Sequence, residues 1–185
     1  MMRWWIPLAA LAFALPACAD EALWALLQKG GQVVLVRHGL TTSGVGDPPG
    51  FKLGECATQR NLVDEGRREA ERLGAALRAR KVPVARVLSS PWCRCIETAR
   101  IAFGTEPAID DTLSNLFANS SNRDKQVAQF RKLVAKAPAQ GNLVLVTHGS
   151  TTSAFTGINQ ATAEMVIVTP EGGERYRVAG RLAVQ

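Results

Sequence analysis

This chain has 185 residues and only two histidines, and each histidine closes a short apolar run with a glycine directly behind it. Gln32-Val33-Val34-Leu35-Val36-Arg37 leads to His38-Gly39, and Asn142-Leu143-Val144-Leu145-Val146-Thr147 leads to His148-Gly149. An imidazole nitrogen attacks best when the ring is neutral and held in one orientation. A strand end can hold one ring nitrogen against a backbone carbonyl and leave the other free as a nucleophile. Arg37 stands beside His38, and Arg94 lies further along the chain. Each offers a planar fork of N–H donors that lysine lacks. A phosphoryl group is a tripod of negative oxygens, so moving it requires fixed positive donors around the tripod. Taken singly, a strand-end histidine is usually structural, a helix arginine usually forms a weak surface pair, and Arg37 could merely snorkel. Together, Arg37, His38, Arg94 and His148 make a phosphate pocket the stronger reading.

The elements that would position these groups follow from periodicity. Short Val and Leu runs bounded by turn residues read as strands buried on both faces, and open parallel sheets bind ligands beyond the carboxyl ends of such strands. A short helix is expected over Glu21–Gln28, stopped by Gly30-Gly31, and a surface loop over Leu40–Gly54 above the site. Asp64 can cap a helix running to about Arg80, with Ala70, Leu73 and Leu77 as its apolar line. Val82–Val84 and Arg86-Val87-Leu88 lead into Ser89-Ser90-Pro91, a strand end followed by a helix carrying Arg94, Thr98 and Ile101. A short strand at Pro107–Ile109, a helix over Asn122–Ala137 and a helix from about Ser150 come next. Strands over Met165–Val168 and Tyr176–Leu182, joined around Glu171-Gly172-Gly173, close the chain. The alternation predicts one α/β domain, a three-layer sandwich with a mostly parallel central sheet.

Composition narrows the partners. The formal charge is +6 and the pI about 9.5, which favours anionic partners. The arginines are scattered, with no dense basic block, which argues against nucleic acid. The expected partner is a phosphorylated small molecule, glycolipid or phosphoprotein. No metal or cofactor is expected: there is no CxxC, and the histidines are too few for ordinary zinc-ligand spacing. Residues 1–19 read as a secretory signal peptide, with an apolar stretch Ile6–Ala17 and a small-x-small site Ala17-Cys18-Ala19 before Asp20. The competing reading is lipid attachment at Cys18, from Leu15-Pro16-Ala17-Cys18. Either way residues 20–185 form the domain, placed in the periplasm or outside the cell, with no transmembrane segment once the leader is removed. Export makes a disulfide plausible. Cys93 and Cys95 are too close to pair without strain, so Cys56 would join one of them; otherwise all three are small buried thiols.

Leu35-Val36-Arg37-His38-Gly39 resembles the signature of the histidine phosphatase superfamily, which has the phosphoglycerate mutase-like fold. Further segments resemble that family's motifs in order. Arg60-Asn61-Leu62 with Gly66 resembles R-x-L-T-x-x-G, with Val63 in place of threonine. Ser90-Pro91-Trp92-Cys93-Arg94-Cys95-Ile96-Glu97-Thr98-Ala99 resembles S-x-x-x-R-A-x-x-T-A, with Cys95 in place of alanine. Val146-Thr147-His148-Gly149 resembles the second histidine motif. The resemblance implies a metal-independent phosphatase in which His38 forms a phosphohistidine. It also implies that Arg37, Arg94 and His148 grip the phosphoryl oxygens, that Arg60 and Asn61 help bind substrate, and that water releases phosphate.

One departure bears on the chemistry. Many members of the family place a glutamate general acid in a D-x-x-L-x-E context, where this chain reads Asp110-Asp111-Thr112-Leu113-Ser114-Asn115. An amide cannot protonate a leaving alkoxide. Either another carboxylate serves (Asp47, Glu55, Asp110 and Asp111 are the candidates), or the leaving group needs little protonation, as in phosphohistidine or another phosphoramidate. The compact phosphohistidine phosphatases of the family resemble this chain in size and in lacking a large cap, whereas export argues for a periplasmic phosphomonoester. A mutase ranks lower, since few residues are left for a substrate lid. The alternative function is a catalytically impaired envelope protein that binds phosphate but has lost the acid.

Overall fold

The computed structural model describes residues 16–117 and 122–184. Its central sheet has six strands: β1 (Val33–Arg37), β2 (Val84–Ser89), β3 (Ala108–Ile109), β4 (Asn142–Thr147), β5 (Met165–Gly172) and β6 (Arg175–Leu182). Their spatial order is β3-β2-β4-β1-β5-β6. The first four positions in that order are parallel neighbours, while β5 pairs antiparallel with β1 and β6 antiparallel with β5, giving the mostly parallel sheet expected. Two cores flank it. Val34 and Val36 of β1 and Val144 and Val146 of β4 face one core, under α1 (Pro16–Lys29), α2 (Asp64–Ala79) and α3 (Cys93–Phe103). Val33, Leu35, Leu143 and Leu145 face the other, with Phe130 of α4 (Arg123–Val134) and Phe155 of α5 (Gly149–Thr156). Alternate residues of one strand feeding opposite cores is the period-2 rule, and both faces are apolar because both are covered. The layers are helix, sheet, helix.

The β1–β4 pairing does most to build the site. The two apolar runs lie parallel and in register, from Val33 opposite Leu143 to Arg37 opposite Thr147. Each histidine is therefore one residue past the end of its strand, side by side with the other, and the His38 N–H donates to the Thr147 carbonyl at 3.0 Å.

Glycines let the following loop close down. A Cβ on Gly39 would stand 2.3 Å from the Gly66 carbonyl oxygen, and one on Gly66 would stand 2.1 Å from that of Leu40. The first turn of α2 thus abuts the backbone that leaves β1, and only hydrogen on both α-carbons permits it. Val63 N–H donates to the Leu40 carbonyl, and Thr41 bridges Leu62.

Several boundaries differ from expectation. Asp64 does not cap α2: the N-cap is Val63, in extended conformation with no side-chain cap bond. Asp64 is instead the first helical residue, where its charge complements the helix dipole and meets Arg67 at 3.0 Å. α1 is longer than expected, running from Pro16 to Lys29, and buries the expected Leu23, Trp24 and Leu27. Residues 1–15 of the expected leader lie outside the described residues. Cys56 and Cys93 form a disulfide with their Cα atoms 5.6 Å apart, leaving Cys95 free and buried. Among the described residues no helix is long and apolar enough to cross a membrane.

Candidate active site

At the carboxyl ends of β1 and β4 a small pocket of about 210 Å³ is walled by Arg37, His38, Arg60, Asn115, His148 and Gln160, among others. A larger groove of about 570 Å³ runs between α2, α3 and β2, past Leu77 and Phe103, but it contains no imidazole. Chemistry therefore points to the smaller cavity.

His38 is 4 % exposed, and its Nδ1 lies 2.8 Å from the Gly39 carbonyl oxygen. A carbonyl only accepts, so Nδ1 carries the proton and Nε2 keeps its lone pair. Thr98 Oγ1 accepts from the Gly39 N–H at 3.0 Å and donates to the Arg94 carbonyl, so α3 braces the peptide behind the ring. Burial pushes the His38 pKa down to about 3. The Gly39 bond opposes that shift, and Arg94, Arg37 and Arg60 add to it. The ring is neutral throughout the physiological range.

His148 is 2 % exposed and lies edge-on to His38, with 5.3 Å between ring centroids. Burial, then the neighbouring His38 and the arginines Arg94, Arg60 and Arg37, hold it well below the usual histidine range. Its Nε2 shares a 2.8 Å hydrogen bond with Ser90 Oγ, and the Trp92 ring meets it edge-on. Ser90 thus fixes the second imidazole. Sequence reasoning placed Ser90 only as a strand-end residue within a motif; its place one residue past β2 was the available signal, and Pro91 does not open α3, which begins at Cys93 after the N-cap Trp92. Cys95 packs 3.6 Å from the same Nε2, and burial pushes its thiol up to about 12, so it acts as a small apolar filler and not as a nucleophile.

The two arginines expected to grip the phosphoryl group behave differently. Arg37 lines the pocket, donates from Nη1 to the Gln160 carbonyl at 2.6 Å, and has a buried Nε with no partner. Gly149 leaves room for it, since a Cβ there would stand 3.2 Å from that Nε. Burial lowers its pKa, and Glu69 and Glu164 push the other way. Arg94 is fully buried and is not on the pocket wall. Its fork goes to Asp47, with Nη1 donating to Oδ1 at 2.8 Å and Nη2 to Oδ2 at 3.2 Å. Asp47 also accepts from the Arg60 N–H at 3.0 Å and from Trp92 Nε1 at 3.2 Å. Arg94 therefore contributes its charge to both imidazoles while its donors anchor the loop that carries Asp47.

Arg60 does reach the pocket, held by Nη1 donating to Thr41 Oγ1 at 2.7 Å and to the Thr42 carbonyl. Asn61 is not brought there. Its Nδ2 donates to the Cys56 carbonyl at 2.7 Å, and it lines a separate groove beside Pro48 and Pro49. The two side chains are held by different partners, Arg60 by Thr41 and Thr42 and Asn61 by Cys56.

None of the candidate acids faces the pocket. Burial pushes the Asp47 pKa up, but its bonds from Arg94, the Arg60 N–H and Trp92 outweigh this and hold it below the usual carboxylate range. Glu55 pairs with Lys52 on the surface, Asp110 accepts from the Thr112 N–H, and Asp111 is exposed. Asn115 does stand at the pocket, its Oδ1 accepting from Ser150 Oγ at 2.8 Å and from the Phe117 N–H. Among the described residues no carboxylate lines the cavity, and the undescribed 118–121 read Ala-Asn-Ser-Ser. Nor do the described residues hold three or more His, Cys, Asp or Glu grouped as metal ligands.

Comparison with known proteins fits this geometry. The family profile for the histidine phosphatase superfamily (branch 1) matches residues 33–120. No curated protein matches the chain. Among solved structures, the product of open reading frame Rv3214 of Mycobacterium tuberculosis superposes with a TM-score of 0.61 at 19% identity, over 83% of this chain and 98% of that one. The protein histidine phosphatase SixA, solved with tungstate, gives 0.56 at 17% identity, over 82% and 96%. The mycobacterial glucosyl-3-phosphoglycerate phosphatase Rv2419c, solved with VO3, gives 0.58 at 19% identity, over 80% and 97%. At such identities these structures establish the shared fold.

Proposed function

We propose that the chain is a member of the histidine phosphatase superfamily and a phosphatase working through a phosphohistidine on His38; the family profile over residues 33–120 and the shared fold support this reading. One observation carries the proposal. His38 is buried and neutral, with Nδ1–H spent on the Gly39 carbonyl, in a pocket walled by Arg37, Arg60 and His148. Nε2 is the nucleophile. Its lone pair forms the N–P bond as the bond from phosphorus to the leaving atom breaks and that atom departs with the electron pair. Arg37 and Arg60 offer fixed guanidinium donors to the phosphoryl oxygens, and the ring that Ser90 orients closes the third side. Water then attacks phosphorus, the N–P bond breaks, and phosphate leaves with His38 neutral again. Arginine supplies the positive charge, so the step does not call on a metal.

The substrate is a phosphomonoester or phosphoramidate on a small molecule, glycolipid or protein. We place the enzyme outside the cytoplasm, as a periplasmic or secreted protein. The leader-like residues 1–19 support this placement, as does the Cys56–Cys93 disulfide, a bond that persists in oxidising compartments. Incubation with a 32P-labelled phosphoryl donor in EDTA tests the mechanism. Acid-labile, alkali-stable label is expected on the native protein and none on His38→Ala. Label retained by that variant, or activity that disappears with chelator, would refute it.

A further inference from the structure

The pocket does not end at Asn115. It continues into a groove of about 270 Å³ that shares Phe117, Gly149, Ser150 and Asn159 with it and adds Arg123 and Ala154. The groove beside Pro48, by contrast, shares only Arg60 with the pocket. A substrate whose phosphoryl oxygens sit between Arg37, Arg60 and His148 therefore has the Phe117 groove as its natural extension.

Two features of this extension bear on what leaves. Phe117 is 85% exposed, the most exposed large apolar side chain described, while its neighbour Leu116 is buried at 3%. Asn115 stands where the cavity and the groove meet, and no carboxylate lines either among the described residues. A leaving oxygen here departs without a proton from a carboxylic acid. In a loose phosphoryl-transfer transition state that oxygen carries most of a negative charge, so the reaction favours leaving groups that are stable as anions. A phenoxide qualifies and an ordinary alkoxide does not. A phenyl ring also presents a flat face to Phe117, the one aromatic side chain on the groove among the described residues. Arg123, the one charged group the groove adds among the described residues, is a cation and so favours a departing anion.

We propose that the enzyme's substrates are small aryl phosphates, with Phe117 as the platform on which the aromatic leaving group stacks. The proposal rests on the phosphohistidine reading above and names the substrate class of that same site. The aryl O–P bond breaks as the His38 Nε2–P bond forms, and the electron pair stays on oxygen as phenoxide, which takes its proton from solvent water. Water then cleaves the N–P bond, and its released proton passes to a phosphate oxygen or to solvent.

Phenyl phosphate and hexafluoroisopropyl phosphate separate ring recognition from leaving-group acidity, since their parent alcohols are comparably acidic and only one is aromatic. The wild type should favour phenyl phosphate in kcat/KM by roughly two- to tenfold, the range of one aromatic pair. Phe117→Ala should collapse that ratio towards one, and Phe117→Tyr should preserve it. Glycerol 3-phosphate should be at least about a hundredfold poorer than phenyl phosphate, the contribution of a missing general acid. A phosphotyrosyl peptide should be no better than free phosphotyrosine, because the proposed recognition is of the ring alone; a tenfold preference for the peptide would overturn the small-molecule assignment. If no ester is hydrolysed and no label forms on His38, the phosphatase reading itself falls. If hydrolysis and labelling occur but the phenyl preference is absent, or survives in Phe117→Ala, this inference alone falls.

Discussion

Replacing Asn115 with glutamate should give a carboxylic acid to a pocket that no carboxylate lines among the described residues. Asn115 holds Ser150 Oγ at 2.8 Å and the Phe117 N–H at 3.1 Å, so its side chain lies on the cavity wall and a longer carboxyl would reach into the cavity. General acid catalysis contributes roughly 10²–10⁴-fold when the donor is protonated and in reach. Arg37 and Arg60, on the same wall, favour the ionised carboxylate, whereas a bound phosphoryl dianion favours the acid. With an ordinary glutamate pKa of about 4.3, only about a tenth of the variant is protonated near pH 5.3, so the gain there is nearer ten- to a thousandfold. It should grow as pH falls towards 5 and shrink above 7. The assay is kcat/KM for glycerol 3-phosphate and phenyl phosphate from pH 5 to 8. Alkyl ester turnover should rise at least about tenfold at the acid end, while the phenyl ester, whose leaving group scarcely needs a proton, changes by less than about threefold. Equal gains on both esters, or no gain from a variant that still forms the phosphoenzyme, would refute the claim that proton donation is what this site lacks.

Other perturbations test the frame around the pocket. The Cys56–Cys93 bridge spans 37 positions, for which loop-closure entropy predicts about 4 kcal/mol of stabilisation. Reductant, or Cys56→Ser, should therefore lower Tm by roughly 8–16 °C, and an unchanged melt would count against the bridge. Arg94→Ala strands Asp47 as an unpaired charge in a mostly buried place and should cost about 3–5 kcal/mol in urea denaturation. The Arg94→Ala/Asp47→Ala pair should cost clearly less than the sum of the two single changes; strict additivity would show that the contact is not energetically coupled. His38 has a folded pKa of about 3, below its unfolded value of about 6.5. The unfolded state therefore binds the proton first, and stability falls as pH drops through that window, by roughly 2 kcal/mol between pH 6.5 and 5 from this ring alone. His38→Asn should flatten that part of the stability–pH curve, and an unaltered slope would mean the ring is not buried neutral.

The parts of this site that were legible in the amino-acid order are those created by strand pairing. Two apolar runs of similar length, each ending in His-Gly, align in register in a parallel sheet, and the register alone carries His38 and His148 to one place. Loop placement was not legible in the same way. Nothing local to Asp47 marks it as the partner of Arg94, because the contact spans 47 positions and is made by a Gly- and Pro-rich loop whose path depends on what it meets. That contact changes the assignment of Arg94 from a wall of the pocket to the anchor of its loop. Helix geometry decides the cysteines likewise: residues two apart on α3 point to nearly opposite sides, so Cys93 meets Cys56 while Cys95 turns inward to His148. Arg60 and Asn61 part company because one side chain is held by Thr41 and the other by the Cys56 carbonyl. Each of these assignments turns on direction and not on residue type, and a single sequence encodes direction only where a regular element imposes its period. The missing acid is the exception that confirms the distinction. Asn115 could be read directly, since it depends on residue type alone, and the structure's contribution was to place no other carboxylate among the described residues where it could substitute.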